Sequence, residues 1–213
     1  MSSTAAAILL TIMENIASEP AVTFAIGITL AWLAGVRVYL TVFGIGLAGL
    51  MGWMPLPAHL HVLQSPLVLS VSGALCLVEF FTDKMPGVDS LWDLLSTVVR
   101  VPAGAFLGGI ALPTVAGDAS ITGMLLGGGI ALGSHALKST TRALINASPE
   151  PLSNWTASLS EDGLAVLALW LVATHPFWAL GLLLVATIAF VWLLMILLRL
   201  FRSVKKRVFN RTA

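Results

Sequence analysis

The segment EFFTDKMPGVDSLWD, Glu79–Asp93, places four acidic side chains between two long apolar stretches. Its Pro86-Gly87 pair is typical of a tight turn, so the segment predicts a hairpin of two apolar helices. The whole chain has 58% hydrophobic residues, 10% charged residues and a mean hydropathy of +0.97. A soluble domain usually has about 25% charged residues. The composition therefore predicts that lipid surrounds this chain.

The apolar stretches predict an all-α integral membrane protein with about six transmembrane helices in one domain. The predicted spans cover about 20–53, 65–82, 89–112, 120–146, 162–174 and 176–200. The first is too long for one straight crossing, because a helix rises about 1.5 Å per residue. We therefore expect a break or a strong tilt near Gly35 and Arg37. Residues 1–19 are interpreted as an N-terminal segment at the membrane interface.

A basic tail, 201–213, follows the last predicted span. Six of the eleven basic residues lie at this end of the chain: Arg199, Arg202, Lys205, Lys206, Arg207 and Arg211. The positive-inside rule places such a tail in the cytoplasm, and six crossings would place the N-terminus there too. Because the cluster adjoins a span, anionic lipid headgroups are the expected partner and nucleic acid is not. The single cysteine, Cys76, excludes an internal disulfide.

Three stripes of polar side chains recur at helical spacing inside the predicted spans. A charge at the bilayer centre costs at least roughly 2.5–3.5 kcal/mol, so we expect these side chains to pair, line a cavity or bind a ligand. The alternative is a solvated, capped turn for the acids near residue 86, with the basic residues snorkelling to headgroups. The stripes are Ser72, Cys76, Glu79 and Asp83; Asp89, Asp93, Ser96 and Arg100; and His135, Lys138, Arg142 and Asn146.

These stripes and the polar segment after them supply the candidate ligand or ion pathway. Its members are Arg37, Glu79, Asp83, Asp89, Asp93, Arg100, His135, Lys138, Arg142, Asn146, Glu150, Asn154 and Trp155. Glu161 and Asp162 are interpreted instead as surface residues at the start of span five, where they stabilise a helix dipole. The run Gly127–Gly129 is interpreted as a site of close helix packing. The alternative is a helix that unwinds there and presents backbone carbonyls to an ion. No catalytic residue and no cofactor are predicted, and a metal site is left open.

Two short segments suggest an internal repeat. Ala34–Arg37 begins a polar stretch in span one, and Leu132–His135 begins a similar stretch in span four. Two three-helix halves with broken helices would have opposite orientations, as in many transporters. The polar loops, however, occupy non-equivalent places in the two halves.

Three segments carry a family resemblance: GVRVYLTVFG (35–44), EFFTDKMPGVDSLWD (79–93) and SPEPLSNW (148–155). They resemble the bacterial membrane proteins grouped as domain of unknown function 4126. The resemblance implies a multi-spanning protein of the bacterial inner membrane, and it implies no activity. A histidine would be expected near Ser96, where this chain has Leu95-Ser96-Thr97.

The leading functional hypothesis is a small transporter or channel for an ion or a small charged solute. A second is an enzyme acting on a lipid or lipid phosphate, with Asp83, Asp89 and Asp93 around a divalent metal. A third is a ligand-free structural or assembly protein whose stripes form a satisfied ion-pair core. Membrane lipids are expected partners in each case, and a homo-oligomer is compatible with the sequence.

Overall fold

Six long α-helices make up most of the chain that this computed structural model describes, which covers residues 20–56, 58–111, 120–147 and 151–209. They are α1 (Pro20–Leu50), α2 (Pro66–Thr82), α3 (Val88–Ala111), α4 (Ile121–Asn146), α5 (Pro151–Thr174) and α6 (Pro176–Phe209). A short 3-10 helix, Ala58–Gln64, precedes α2. These ranges contain no strand, which confirms the all-α fold. By length and composition α1, α3, α5 and α6 can each cross a membrane.

Two helices extend beyond their predicted bounds. α5 begins at Pro151, so the helix starts about three turns before the predicted start of span five near residue 162. Proline suits the first position of a helix, because its missing N–H would have no helical partner there. α6 continues to Phe209, so the first part of the basic tail is helical. The interfacial segment 1–19 lies outside the described residues.

The helix α1 lies at the centre of the bundle and is broken at one residue. Arg37 has φ −143° and ψ 70°, values that do not belong to a helix, and this confirms the predicted break. Leu30 in the first arm and Ile45 in the second arm line two small cavities that are both also lined by Leu107 of α3. Arg37, between the arms, instead reaches the turn that follows α2. α1 is therefore re-entrant, since both of its arms extend toward the same end of the bundle.

This re-entrant path corrects the predicted topology. Five helices, α2 to α6, run from end to end, so Pro20 and the last turns of α6 lie at opposite ends of the bundle. The length of span one suggested a break or a tilt, and the structure shows that one non-helical residue reverses the chain there. α4 is unbroken at Leu132–His135, and α3 continues through Pro102. The second half thus has no counterpart of the break in α1.

Glycines allow α3 and α4 to cross at very short distance. A Cβ atom at Gly108 would lie 2.5 Å from the Cα of Gly127, and one at Gly104 would lie 2.9 Å from the carbonyl oxygen of Gly127. Each helix thus carries a Gly-x-x-x-Gly pair, Gly104/Gly108 and Gly123/Gly127, as in close helix crossings in membranes. The packing interpretation is confirmed for Gly127, whereas Gly129 faces open space.

The core and the outer surface are both apolar. α1 packs against all five other helices, and Leu30, Leu33 and Val38 in it are fully buried. The outer faces of the surrounding helices expose large apolar side chains such as Val98 and Leu125, which are 78% and 74% exposed. A monomeric soluble protein rarely exposes such extensive apolar surface, so lipid is the natural environment of these faces.

Candidate functional site

Every charged side chain that the structure describes between residues 20 and 198 belongs to one cluster, which we call the charge network. Asp162 is 19% exposed, and the other ten residues are 8% exposed or less. The network has five cations and six carboxylates and draws on α1 to α5 and the turn after α2. Its members are Arg37, Glu79, Asp83, Lys84, Asp89, Asp93, Arg100, Lys138, Arg142, Glu161 and Asp162.

Arg37 lies at the break of α1 and joins α1 to α5. Its Nη1 is 2.6 Å from Oδ2 of Asp83, and its Nη2 is 2.9 Å from Oδ1 of Asp162. Nη2 also donates to the carbonyl and the hydroxyl of Ser158, at 3.1 and 3.2 Å. The side chain is only 1% exposed, so these partners replace water at Nη1 and Nη2, whereas Nε has no hydrogen-bond partner within the described residues.

Arg100 of α3 uses all five of its N–H donors. Nε donates to Ser96 (2.8 Å), and Nη1 donates to the carbonyls of Gly35 and Val36 (2.8 and 2.7 Å). Nη2 donates to Oε1 of Glu79 at 2.7 Å and to Oδ1 of Asp93 at 2.9 Å. The two carbonyls lie just before the break in α1, so Arg100 satisfies backbone acceptors that the broken helix leaves free.

Lys138 of α4, like Arg100, binds the backbone at the break in α1. Its Nζ donates to the carbonyl of Val36 (3.1 Å) and to Oδ2 of Asp83 (2.8 Å), and it lies 3.2 Å from Oδ1 of Asp93. Asp83, in the turn after α2, is thus shared by Lys138 and Arg37. Burial would raise the pKa of Asp83, but the charges of Lys138 and Arg37 outweigh burial and lower it to about 2.

Arg142 forms a paired contact with Glu161 of α5. Nε lies 3.1 Å from Oε1 and Nη2 lies 3.0 Å from Oε2, a two-point geometry that suits a carboxylate. Its Nη1 donates to the carbonyl of Asp83 and to both oxygens of Asn154. Arg142 is therefore a buried anchor between α4, α5 and the turn, and it does not snorkel to headgroups.

The turn between α2 and α3 is a hydrogen-bonded type II turn with Gly87 at φ +84°. Asp89 accepts from the backbone N–H groups of Gly87 and Ser90, at 2.9 and 2.7 Å. Asn146 at the end of α4 donates to the same carboxylate at 2.8 Å, and Asn154 donates in turn to Asn146 at 2.8 Å. The turn is therefore attached to both α4 and α5.

Lys84 is the network member at its edge, and His135 and Trp155 lie beside the network. His135 makes a 2.7 Å hydrogen bond with Thr97 and no ion pair among the described residues. Lys84 sits 3.1 Å from the centre of the Phe80 ring and 3.4 Å from Oδ2 of Asp162. Trp155 is 51% exposed and lines a groove beside this turn, so it lies outside the network.

The structure thus brings together most of the predicted pathway residues, but it revises the set. Glu161 and Asp162 were wrongly interpreted as surface residues of a helix start; they lie within α5 and pair with Arg142 and Arg37. The early start of α5 explains the error. The missed signal was the helical spacing of Asn154, Ser158, Glu161 and Asp162. Lys84 was also missed, and Glu150 lies outside the described residues.

Not every oxygen of the network is paired. Three buried carboxylate oxygens have no hydrogen-bond partner within the described residues: Oε2 of Glu79, Oδ1 of Asp83 and Oδ2 of Asp93. The described residues also contain no group of three or more His, Cys, Asp or Glu side chains that could hold a metal ion. Asp83 and Asp93 engage cations of the protein instead, and Asp89 accepts from backbone N–H groups at the start of α3.

A lipid-facing helical bundle around buried charges defines a membrane protein with several membrane-embedded helices. The family model described as "Domain of unknown function (DUF4126)" matches residues 24–196, and the chain belongs to this family. No curated protein and no solved structure matches the chain.

Proposed function

We propose that this protein moves an ion or a small charged solute across the membrane, at a site formed by the charge network around the break in α1. The observation that carries this proposal is Arg37, a buried cation at the non-helical apex of a re-entrant helix. Non-helical backbone at membrane depth is tolerated where it is buried in protein or lines a water-filled cavity. Discontinuous helices of this kind form the binding sites of many transporters.

The energetic cost of the network supports the same proposal. Buried ion pairs often stabilise a protein no better than well-packed apolar groups would, because each charge loses its hydration. Ionisable residues inside membranes are for this reason associated with ion and substrate pathways. Eleven such residues in one cluster, with unpartnered oxygens on Glu79, Asp83 and Asp93, are more than helix packing requires.

A structural role is the second candidate, and Arg100 favours it. All five donors of Arg100 are used within the protein, two of them on carbonyls at the break. A guanidinium saturated in this way has no donor left for a ligand. We therefore propose that Arg100 stabilises the re-entrant helix. Arg37 and the carboxylates of the network would then bind the transported ion or solute.

The proposed location is the inner membrane of a bacterium, with the C-terminal end of α6 in the cytoplasm. Arg199 and Arg202 at this end are exposed, which suits anionic headgroups and the positive-inside rule. In this orientation both arms of α1 open toward the outer face, and the turn after α2 lies at the cytoplasmic face.

The test is flux into liposomes that contain the purified protein. Proton, K⁺, Na⁺, chloride and phosphate movements are followed with ion-specific dyes for the wild type, Arg37→Gln and the matched control Arg202→Gln. We expect flux of at least one probe, a loss of ten-fold or more in Arg37→Gln, and no change in Arg202→Gln. Absence of flux for every probe, or equal flux in a folded Arg37→Gln protein, would reject the proposal.

A paired neutralisation separates transport from the structural role. Glu79→Gln with Lys138→Met removes one acidic and one basic group from the network. A folded but flux-free double variant supports transport, whereas wild-type flux in this variant contradicts the proposed site.

A further inference from the structure

We infer that Glu79 holds an exchangeable proton and that this proton is the coupling ion of the proposed transport. The proton itself follows from the contacts between α2 and its neighbours. Its use in coupling rests on the proposed function.

Glu79 has the fewest polar contacts of the deeply buried carboxylates within the described residues, since Arg100 alone donates to it. Asp89, whose one cation lies 3.9 Å away, accepts instead from Gly87, Ser90 and Asn146. Within the described residues, its ion-pair partner is Nη2 of Arg100, and that same nitrogen also binds Asp93. Asp93 has Lys138 as a second cation, at 3.2 Å. Two carboxylates thus meet one nitrogen, and Glu79 is the one without a second partner. A proton on Glu79 would leave the pair between Arg100 and Asp93 intact.

The second oxygen of Glu79 also points to a proton. Oε2 has no hydrogen-bond partner among the described residues, and the whole side chain is 1% exposed. An ionised carboxylate with one unsolvated oxygen is costly in such surroundings, whereas a protonated acid is neutral and becomes a donor. A metal ion would need several oxygen ligands around Oε2, and the described residues offer no cluster of that kind.

The titratable and charged side chains around Glu79 belong to α1, α2, the turn after α2, α3 and α4. No cation other than Arg100 contacts Glu79 among these groups, although Arg37 and Lys138 act on it at longer range. Movement of Arg100 or Lys138 would therefore change the proton affinity of Glu79, which is how a proton could be linked to solute movement. The set comprises Arg37 and Tyr39 of α1, Cys76 of α2, Asp83 of the turn, Asp93 and Arg100 of α3, and Lys138 of α4.

Infrared spectroscopy of the protein in liposomes tests for the proton directly. At neutral pH we expect the carbonyl stretch of a protonated, buried carboxylic acid in the wild type and its loss in Glu79→Gln. The matched control Asp162→Asn, an acid-to-amide change at the partly exposed rim, should keep the band. Incorporation of ¹³C-glutamate into the wild type should shift the band, which assigns it to glutamate even if the variant does not fold. No band in the wild type, or an unchanged band in Glu79→Gln, overturns the inference.

The same liposomes, loaded with a pH-sensitive dye, separate this inference from the proposed function. The band together with proton flux that is lost in Glu79→Gln supports both. The band without flux of any probe upholds the proton on Glu79 and overturns its coupling role together with transport. Flux without the band overturns the proton site and leaves transport standing.

Discussion

Replacing Asp83 by asparagine should destabilise the protein more than any other single change of a carboxylate to an amide in the network. Oδ2 of Asp83 lies 2.6 Å from Arg37, 2.8 Å from Lys138 and 4.0 Å from Arg142, and the side chain is 0% exposed. The neutral amide would leave these three cations with less compensation in a region without bulk water. Removing one partner of a buried pair typically costs about 3–5 kcal/mol.

Thermal unfolding in detergent, followed by intrinsic tryptophan fluorescence, measures this loss. For a chain of this size about 3–5 kcal/mol corresponds to a fall of roughly 6–20 °C in the melting temperature. Asp162→Asn, at the 19% exposed rim, is the matched control and should lower the melting temperature by less. The double variant Asp83→Asn with Lys138→Met removes one charge of each sign and should recover part of the loss. A melting temperature of Asp83→Asn equal to that of the wild type would refute this reasoning.

Two further predictions concern stability. Gly127→Leu should lower the melting temperature by an amount equivalent to about 1–3 kcal/mol, because any Cβ there collides with Gly108 of α3. The matched control Gly129→Leu faces open space and should change the melting temperature little. Equal effects of the two changes would contradict the close crossing of α3 and α4. Because the pKa of Asp83 is lowered to about 2, its ionised form stabilises the fold above its ordinary pKa, and this stabilisation should be lost as the pH falls from about 4 toward about 2. A series of melting curves across this pH range measures the effect, and Asp83→Asn should reduce the slope.

Much of the fold could be predicted because membrane insertion imposes strong patterns on the sequence. The apolar stretches gave the bounds of α2, α3 and α4 closely, and Pro86-Gly87 marked the hairpin between α2 and α3. The excessive length of span one, with a glycine and an arginine in its middle, was enough to predict the break at Arg37. Helical spacing was enough to place the acidic and basic stripes on single helix faces.

Other features depend on tertiary contacts that no local pattern reveals. The reversal of α1 arises from the conformation of Arg37, which is held by Asp83 and Asp162 from distant parts of the chain. The position of Glu161 depended on the start of α5, and the polar residues after Pro151 are as suitable for a loop as for a helix. Which carboxylate pairs with which cation could not be derived either, since spacing defines a helix face but not the neighbour of that face.

The broken helix and the charge network explain each other. A break at Arg37 frees the carbonyls of Gly35 and Val36, and in lipid such acceptors need partners from the protein. Arg100 and Lys138 supply these partners, so two cations are required simply to keep α1 re-entrant. Their charges must then be balanced, and Asp83, Asp93 and Glu161 balance them while contacting a second cation as well.

Glu79 contacts Arg100 alone, and the pair between Arg100 and Asp93 does not require it. Glu79 is therefore not required for the architecture, and a change in its protonation should cost little folding free energy. We expect Glu79→Gln to lower stability less than Asp83→Asn does, and to lower proton flux more.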